Sequence, residues 1–172
     1  VSSPRLADLA GALCGAVSVD ATLAGFAEPA GEGTLAARRG AIDGLFKGDR
    51  VEDILAALDA RAAAGGPDAE FARATAATIR TKSPTSLKLA LAQMHAGARL
   101  AFEACMATEF RIVSRVIHGH DFYEGVRAVI VDKDNTPRWR PAALAEVSDA
   151  EIARHFAPLP GAEWTMPNPD RT

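Results

Sequence analysis

The sequence predicts an all-α fold of about eight helices. Three observations point there. Apolar residues recur at helical spacing from end to end, and no stretch alternates in the manner of a half-buried strand. Helix-start chemistry is repeated: Ser-Pro stands at 3–4 and again at 83–84, and capping-box spacing occurs at Asp49–Glu52 and Ser148–Glu151. Between these starts lie breakers, chiefly GGP at 65–67 and Gly97.

Ser3-Pro4 sets a capping side chain before a proline whose missing N–H costs nothing in the first helical turn, and Leu6, Leu9, Ala10 and Leu13 share the face that follows. Asp20 opens a short second helix ending near Phe26, ahead of an EPAGEGT loop. A third, weakened by its glycines, carries Leu35, Ile42, Leu45 and Phe46. Asp49 to Glu52 caps a helix whose buried stripe is Ile54, Leu55 and Leu58. Pro67 starts another, through Phe71, Ala74, Thr78 and Ile79. Ser83-Pro84 starts the next, with Leu87, Leu91, Met94 and Ala98 on its buried face.

The run from Arg99 to His118 is the longest predicted helix, with Phe102, Met106, Phe110, Val113 and Ile117 near heptad spacing. Gly119 ends it, with His118 at the negative end of its dipole. Asp121, with Glu124 three residues on, caps a further helix whose apolar face is Phe122, Val126, Val129 and Ile130, and Asp132 to Pro137 terminates it. Ser148 to Glu151 opens the last, carrying Ile152 and Phe156. No internal repeat or long linker divides the chain. The domain reading is therefore a helical region at 1–157 and an extended or disordered proline-rich tail at 158–172.

At 172 residues, 48% hydrophobic and 24% charged, the chain is long enough for one real core. A net charge of −3 offers no electrostatic case for nucleic acid or an anionic membrane, and no apolar run approaches a bilayer's thickness. Cys14 and Cys105 sit apart among apolar neighbours and read as reduced, buried thiols of a cytoplasmic protein. The chain opens on Val1 in what already reads as a helix start, which suggests a processed chain or a piece of a longer one.

Little here reads as self-contained chemistry. A metal site would need His118, His120 and Asp121 to converge with His95 or His155, and no ligand pair at helical spacing supports one, so no metal is expected. Ser83, Ser86 and Ser114 lack a nucleophile elbow, and GGP and GEG follow no strand and adjoin no lysine. Met94, Met106 and Phe110 suit a core. Arg138-Trp139-Arg140 suits either a phosphate grip or a solvated loop anchored by its tryptophan.

Two strings reach further: SPTSLKLAL at 83–91 and HGHDFYEGVRAVIVDKDNTPRWRPAAL at 118–144. They resemble the C-terminal part of the 3-hydroxyisobutyryl-CoA hydrolase branch of the crotonase (enoyl-CoA hydratase/isomerase) superfamily. DF-x-EGVRAV, DKD and P-x-W-x-P follow that branch, whereas ordinary hydratases share mainly the short acid-x-x-EG core. A weaker match runs from Ser3 to about Phe156.

The resemblance implies a two-part enzyme: an N-terminal spiral of ββα units holding the oxyanion-binding N–H groups and the catalytic carboxylates, then helices. This sequence corresponds to the helical portion without the spiral, so it carries no catalytic residue of its own. In such enzymes the helices cover the acyl pocket, contribute to the CoA edge and self-associate. By that resemblance Phe122, Val126 and Val129 wall a pocket, and Lys133 or Arg138 meets a CoA phosphate; an apolar core and a solvated helix end explain the same residues. No cofactor is implied, acyl-CoA being the substrate. The partner implied is the spiral half, as the missing part of the same protein or a second chain, with a homo-oligomer possible and neither nucleic acid nor membrane involved. The functions implied are thioester hydrolysis in valine breakdown, or hydratase/isomerase chemistry of the same superfamily. A stand-alone helical binding or scaffold module is the competing class.

Overall fold

The computed structural model describes residues 1–161 and 163–165. Among them it holds nine α-helices and no strand: α1 (Leu6–Cys14), α2 (Val19–Phe26), α3 (Arg39–Leu45), α4 (Val51–Ala64), α5 (Ala69–Arg80), α6 (Pro84–Gly97), α7 (Phe102–Val116), α8 (His120–Val126) and α9 (Asp149–Phe156). Contacts divide the chain into two compact units, Val1–Asp43 and Gly44–Thr172. No described helix is long and apolar enough to cross a membrane.

In the first unit α1 packs on α2. Arg5 joins them, pairing with Glu28 at 2.8 Å and lying 4.6 Å from the centre of the Phe26 ring. Ser3-Pro4 forms a tight 3-10 turn before α1 and caps nothing with its side chain. Ser18, not Asp20, caps α2 by accepting the Ala21 N–H. No residue from 1 to 43 is buried, and Cys14 is exposed, which corrects the expectation of a buried thiol.

The second unit is built on α4 and α5. Val51, Ile54, Leu55 and Leu58 fall three and four residues apart, so one helical face carries them all inward. Ala72 and Ala76 oppose them, and these short side chains let the two helices approach closely. The GGP break works through Gly65 and Gly66, at φ of +72° and +87°, a left-handed excursion open mainly to glycine. The expected Asp49 capping box does not form. Arg50 holds the cap position without a side-chain bond, and Glu52 instead reaches across to Lys88 of α6 at 3.0 Å.

Leu89, Val147 and Ile152 make a second core, against which Ala92, Val116 and Phe156 pack. Ser148 caps α9 as its spacing predicts, accepting from Glu151 N–H at 3.2 Å. Two arginines of α7 serve the other end of α9. Arg115 donates to the carbonyls of His155 and Pro158, both at 3.2 Å, and Arg111 donates to Phe156 O at 3.4 Å and forks onto Glu163. Residues 158–161 and 163–165 are non-helical; the rest of the expected tail, 162 and 166–172, lies outside the described residues.

One expectation is reversed. On α7 the buried residues are Thr108 and Ile112, whereas Phe102 is 65% exposed and Met106, Val113 and Ile117 also face outward. Met94 of α6, expected inside, is 73% exposed. The cause is the docking of α9: it takes the side of α7 that carries Arg111, Ile112 and Arg115, and leaves the apolar stripe without an intrachain cover among the described residues.

Candidate functional site

The signature stretch folds around one guanidinium. After α8 the backbone widens into a π turn, Arg127–Val131, closed by Asp132 N–H donating to Arg127 O at 2.8 Å. The Arg127 side chain donates to both oxygens of Glu124 (3.0 and 2.8 Å), to Asp132 (2.6 Å), to Asp134 (2.7 Å) and to Thr136 O (3.3 Å). Glu124 accepts the Arg138 N–H as well, at 2.7 Å, and Asp134 accepts the Thr136 N–H at 2.8 Å. These bonds, Arg127's first, hold the Glu124 and Asp134 carboxyls down to about 2, and the Glu124 bond foremost holds Arg127 more firmly protonated than usual. Within this knot Lys133 and Asn135 adopt φ of 56° and 54°, uncommon for side-chain-bearing residues.

A second set of bonds moors the next residues. Asp121 does not cap α8: the cap position is Gly119, whose φ of −82° is also not that of a left-handed C-terminal glycine for α7. Asp121 instead accepts from Ser83 Oγ at 2.5 Å and from Arg140 N–H at 2.8 Å. Ser83 still caps α6, accepting the Ser86 N–H at 3.1 Å. Trp139 donates its indole N–H to Thr81 O at 2.9 Å and lies over Gly125, so it is the loop's anchor. His120 Nε2 lies 3.0 Å from Arg138 O.

Between the starts of α6 and α8, the end of α7, the π turn and α9 lies an open groove of about 840 Å³. Phe122, Val126 and Val129 line it, as does Ile130. Lys133 and Arg138 do not. They stand on the adjoining loop, exposed and without a side-chain partner among the described residues, while Arg140 does reach the lining. Ser83, Ser86, Ser114, His118 and His120 also face the groove, yet among the described residues no serine hydroxyl bonds a histidine. His155 is buried with Nδ1 2.9 Å from Glu151 O, and no three His, Cys, Asp or Glu side chains of the described residues converge as metal ligands would. The site can wall an apolar group and offer cations; it shows neither an activated nucleophile nor an oxyanion cradle.

Residues 1–156 match the family model for enoyl-CoA hydratase/isomerase. The chain belongs to that family. Among curated enoyl-CoA hydratase/isomerase relatives, it is 43% identical over 118 residues to the mitochondrial 3-hydroxyisobutyryl-CoA hydrolase of Gallus gallus. It is 42% identical over 119 residues to that of Danio rerio and 36% over 118 to that of Homo sapiens. Each match takes in 69% of this chain but only 29% or 30% of the relative, so the chain spans less than a third of their length. Two solved structures share its fold. A carnitinyl-CoA dehydratase from Mycobacterium thermoresistibile aligns with a TM-score of 0.77 at 36% identity, over 92% of this chain and 44% of that one. An enoyl-CoA hydratase from Rhodobacter sphaeroides 2.4.1 aligns at 0.69 and 30%, over 93% and 44%. This is the helical, C-terminal kind of crotonase architecture that the two signature strings imply.

Two parts of the site escaped the sequence reading. Arg127 was passed over, although Glu124 three residues before it is a helical ion-pair spacing. Lys88 and Glu52 lie 36 positions apart in unrelated helices, and no local signal connects them.

Proposed function

We propose that this chain is the helical part of a CoA-thioester hydrolase that converts 3-hydroxyisobutyryl-CoA to 3-hydroxyisobutyrate and CoA, a step of valine breakdown. The observation that carries this reading is the signature itself. Asp121, Glu124, Arg127, Asp132, Asp134 and Trp139 of DF-x-EGVRAV, DKD and P-x-W-x-P all enter one bonded unit. The curated relatives that share the stretch are hydrolases.

In this reading water attacks the thioester carbonyl, the oxygen gains negative charge, and CoA leaves as its thiol. N–H donors aimed at that oxygen and a carboxylate to activate the water come from a crotonase spiral, in the same polypeptide or a second chain. Phe122, Val126 and Val129 wall the acyl end; Lys133 and Arg138 serve the CoA phosphates. The outward stripe of α7 supports this over a stand-alone module, because an apolar face of that extent suits a partner surface, whether the spiral or a second copy. Unpaired cysteines suit a reducing compartment, the cytoplasm in our reading, although the relatives are mitochondrial. A hydratase reading is favoured by the two structural neighbours, whose titles are a dehydratase and a hydratase.

The test joins this chain to its crotonase spiral and follows thiol release from 3-hydroxyisobutyryl-CoA beside hydration of an enoyl-CoA. Thiol release without hydration is expected. Hydration without thiol release would transfer the assignment to the hydratases, and thiol release by the 172-residue chain alone would refute the division of labour.

A further inference from the structure

We propose that Arg127 is the positioning residue of an anion-gripping edge, neutralising the carboxylates around it and fixing the backbone so that Lys133 and Arg138 are presented to a phosphate of acyl-CoA. This rests on the thioester-hydrolase reading above. The segment 132–140 carries two acids and three cations, and unaided its acids would pair with its own lysine and arginines. They do not. Asp132 and Asp134 are both turned onto Arg127, Glu124 beneath them is held by both arms of the same guanidinium, and Asp121 is taken by Ser83 and the Arg140 amide. The cations are left over: the side chains of Lys133, Arg138 and Arg140 bond nothing among the described residues.

The backbone beneath them is fixed at short intervals. Asp132 N–H goes to Arg127 O, Asn135 N–H to Ala128 O, Thr136 N–H to Asp134, Arg138 N–H to Glu124, and Arg140 N–H to Asp121. Arg127 acts directly on 132, 134 and 136 and reaches 138 through Glu124. A loop already ordered loses less conformational freedom when its long side chains close on an anion. A lysine at 127 would not substitute, since one ammonium cannot span a planar fork's set of acceptors.

The experiment titrates coenzyme A and inorganic pyrophosphate into the 172-residue chain by NMR. It compares the native chain with Arg127→Gln, Arg127→Lys, Lys133→Ala and the Arg127→Gln/Lys133→Ala double variant, at a temperature where circular dichroism shows all of them folded. Each single change should weaken coenzyme A about tenfold, the value of one charged hydrogen bond. Because Arg127 acts through Lys133, the double variant should lose far less than the about hundredfold that independent effects would give. Arg127→Lys should not rescue. Full additivity, or Arg127 variants that lose thermal stability yet keep coenzyme A affinity within about twofold, would overturn the proposal, as would a native chain that binds neither probe. If both probes bind equally and both weaken on Arg127→Gln, the positioning role stands and it is the CoA reading that fails.

Discussion

Lys88→Met tests the joint that holds the second unit together. The Lys88 side chain is 9% exposed, and its ammonium donates to Val147 O and to Glu52 Oε1, each at 3.0 Å, so one residue of α6 ties α4 to the segment before α9. Methionine keeps most of the stem's packing and removes the donors. A buried carbonyl left unpaired costs about 1–3 kcal/mol. Glu52 is about a third exposed, which discounts its share to about 1 kcal/mol. The sum is roughly 2–4 kcal/mol in a urea titration at pH 7. Acid should shrink the difference. Burial pushes the Glu52 carboxyl up, but its own backbone N–H, Lys88 and Arg50 outweigh that and leave it below its ordinary 4.5. A depressed carboxyl contributes stability that is complete above the unfolded value and is lost as pH falls through the lower folded one. Below about pH 4, therefore, only the Val147 portion should separate variant from native. A deficit under about 1 kcal/mol at pH 7, or one that does not narrow in acid, would refute the reasoning.

Leu58→Ala should cost about 3–4 kcal/mol by urea unfolding, because the side chain is fully buried and the alanines opposite it cannot expand into the space. Ser83→Ala removes the α6 cap and the Asp121 partner together, and about 1–2 kcal/mol should be lost in the same assay. The Glu124 carboxyl, observed by carbon-13 NMR, should stay ionised until the pH approaches 2, so its contribution is present above 4.5 and fades only toward that value. Titration near 4.5 would mean that the Arg127 fork does not persist in solution.

The fold was legible wherever the signal is local. Helical spacing placed α4 to α9, and Ser83 and Ser148 cap their helices because a cap acts over three residues. Asp49 and Asp121 have the same spacing and do not cap, since each acid-rich helix start found a better partner through space: Lys88 for Glu52, Ser83 and Arg140 for Asp121. The stripe of α7 shows the other limit. Periodicity identifies a face that repels water, but not which element covers it, and α9 was drawn to the opposite side by carbonyls that Arg111 and Arg115 could satisfy. Of the five candidate site residues, the three apolar ones follow from helical geometry and reach the groove together; Lys133 and Arg138 depend on a loop whose path Arg127 dictates.

The π turn also has a consequence for descent. Its wide step, from Arg127 O to Asp132 N–H, accommodates one residue more than an α-helical turn. Loss of a single codon inside 127–131 would restore the narrower turn, rotate everything that follows by about 100° about the helix axis, and carry Lys133 to another side. In this lineage, reach toward a new ligand is therefore changed by counting residues as much as by exchanging them.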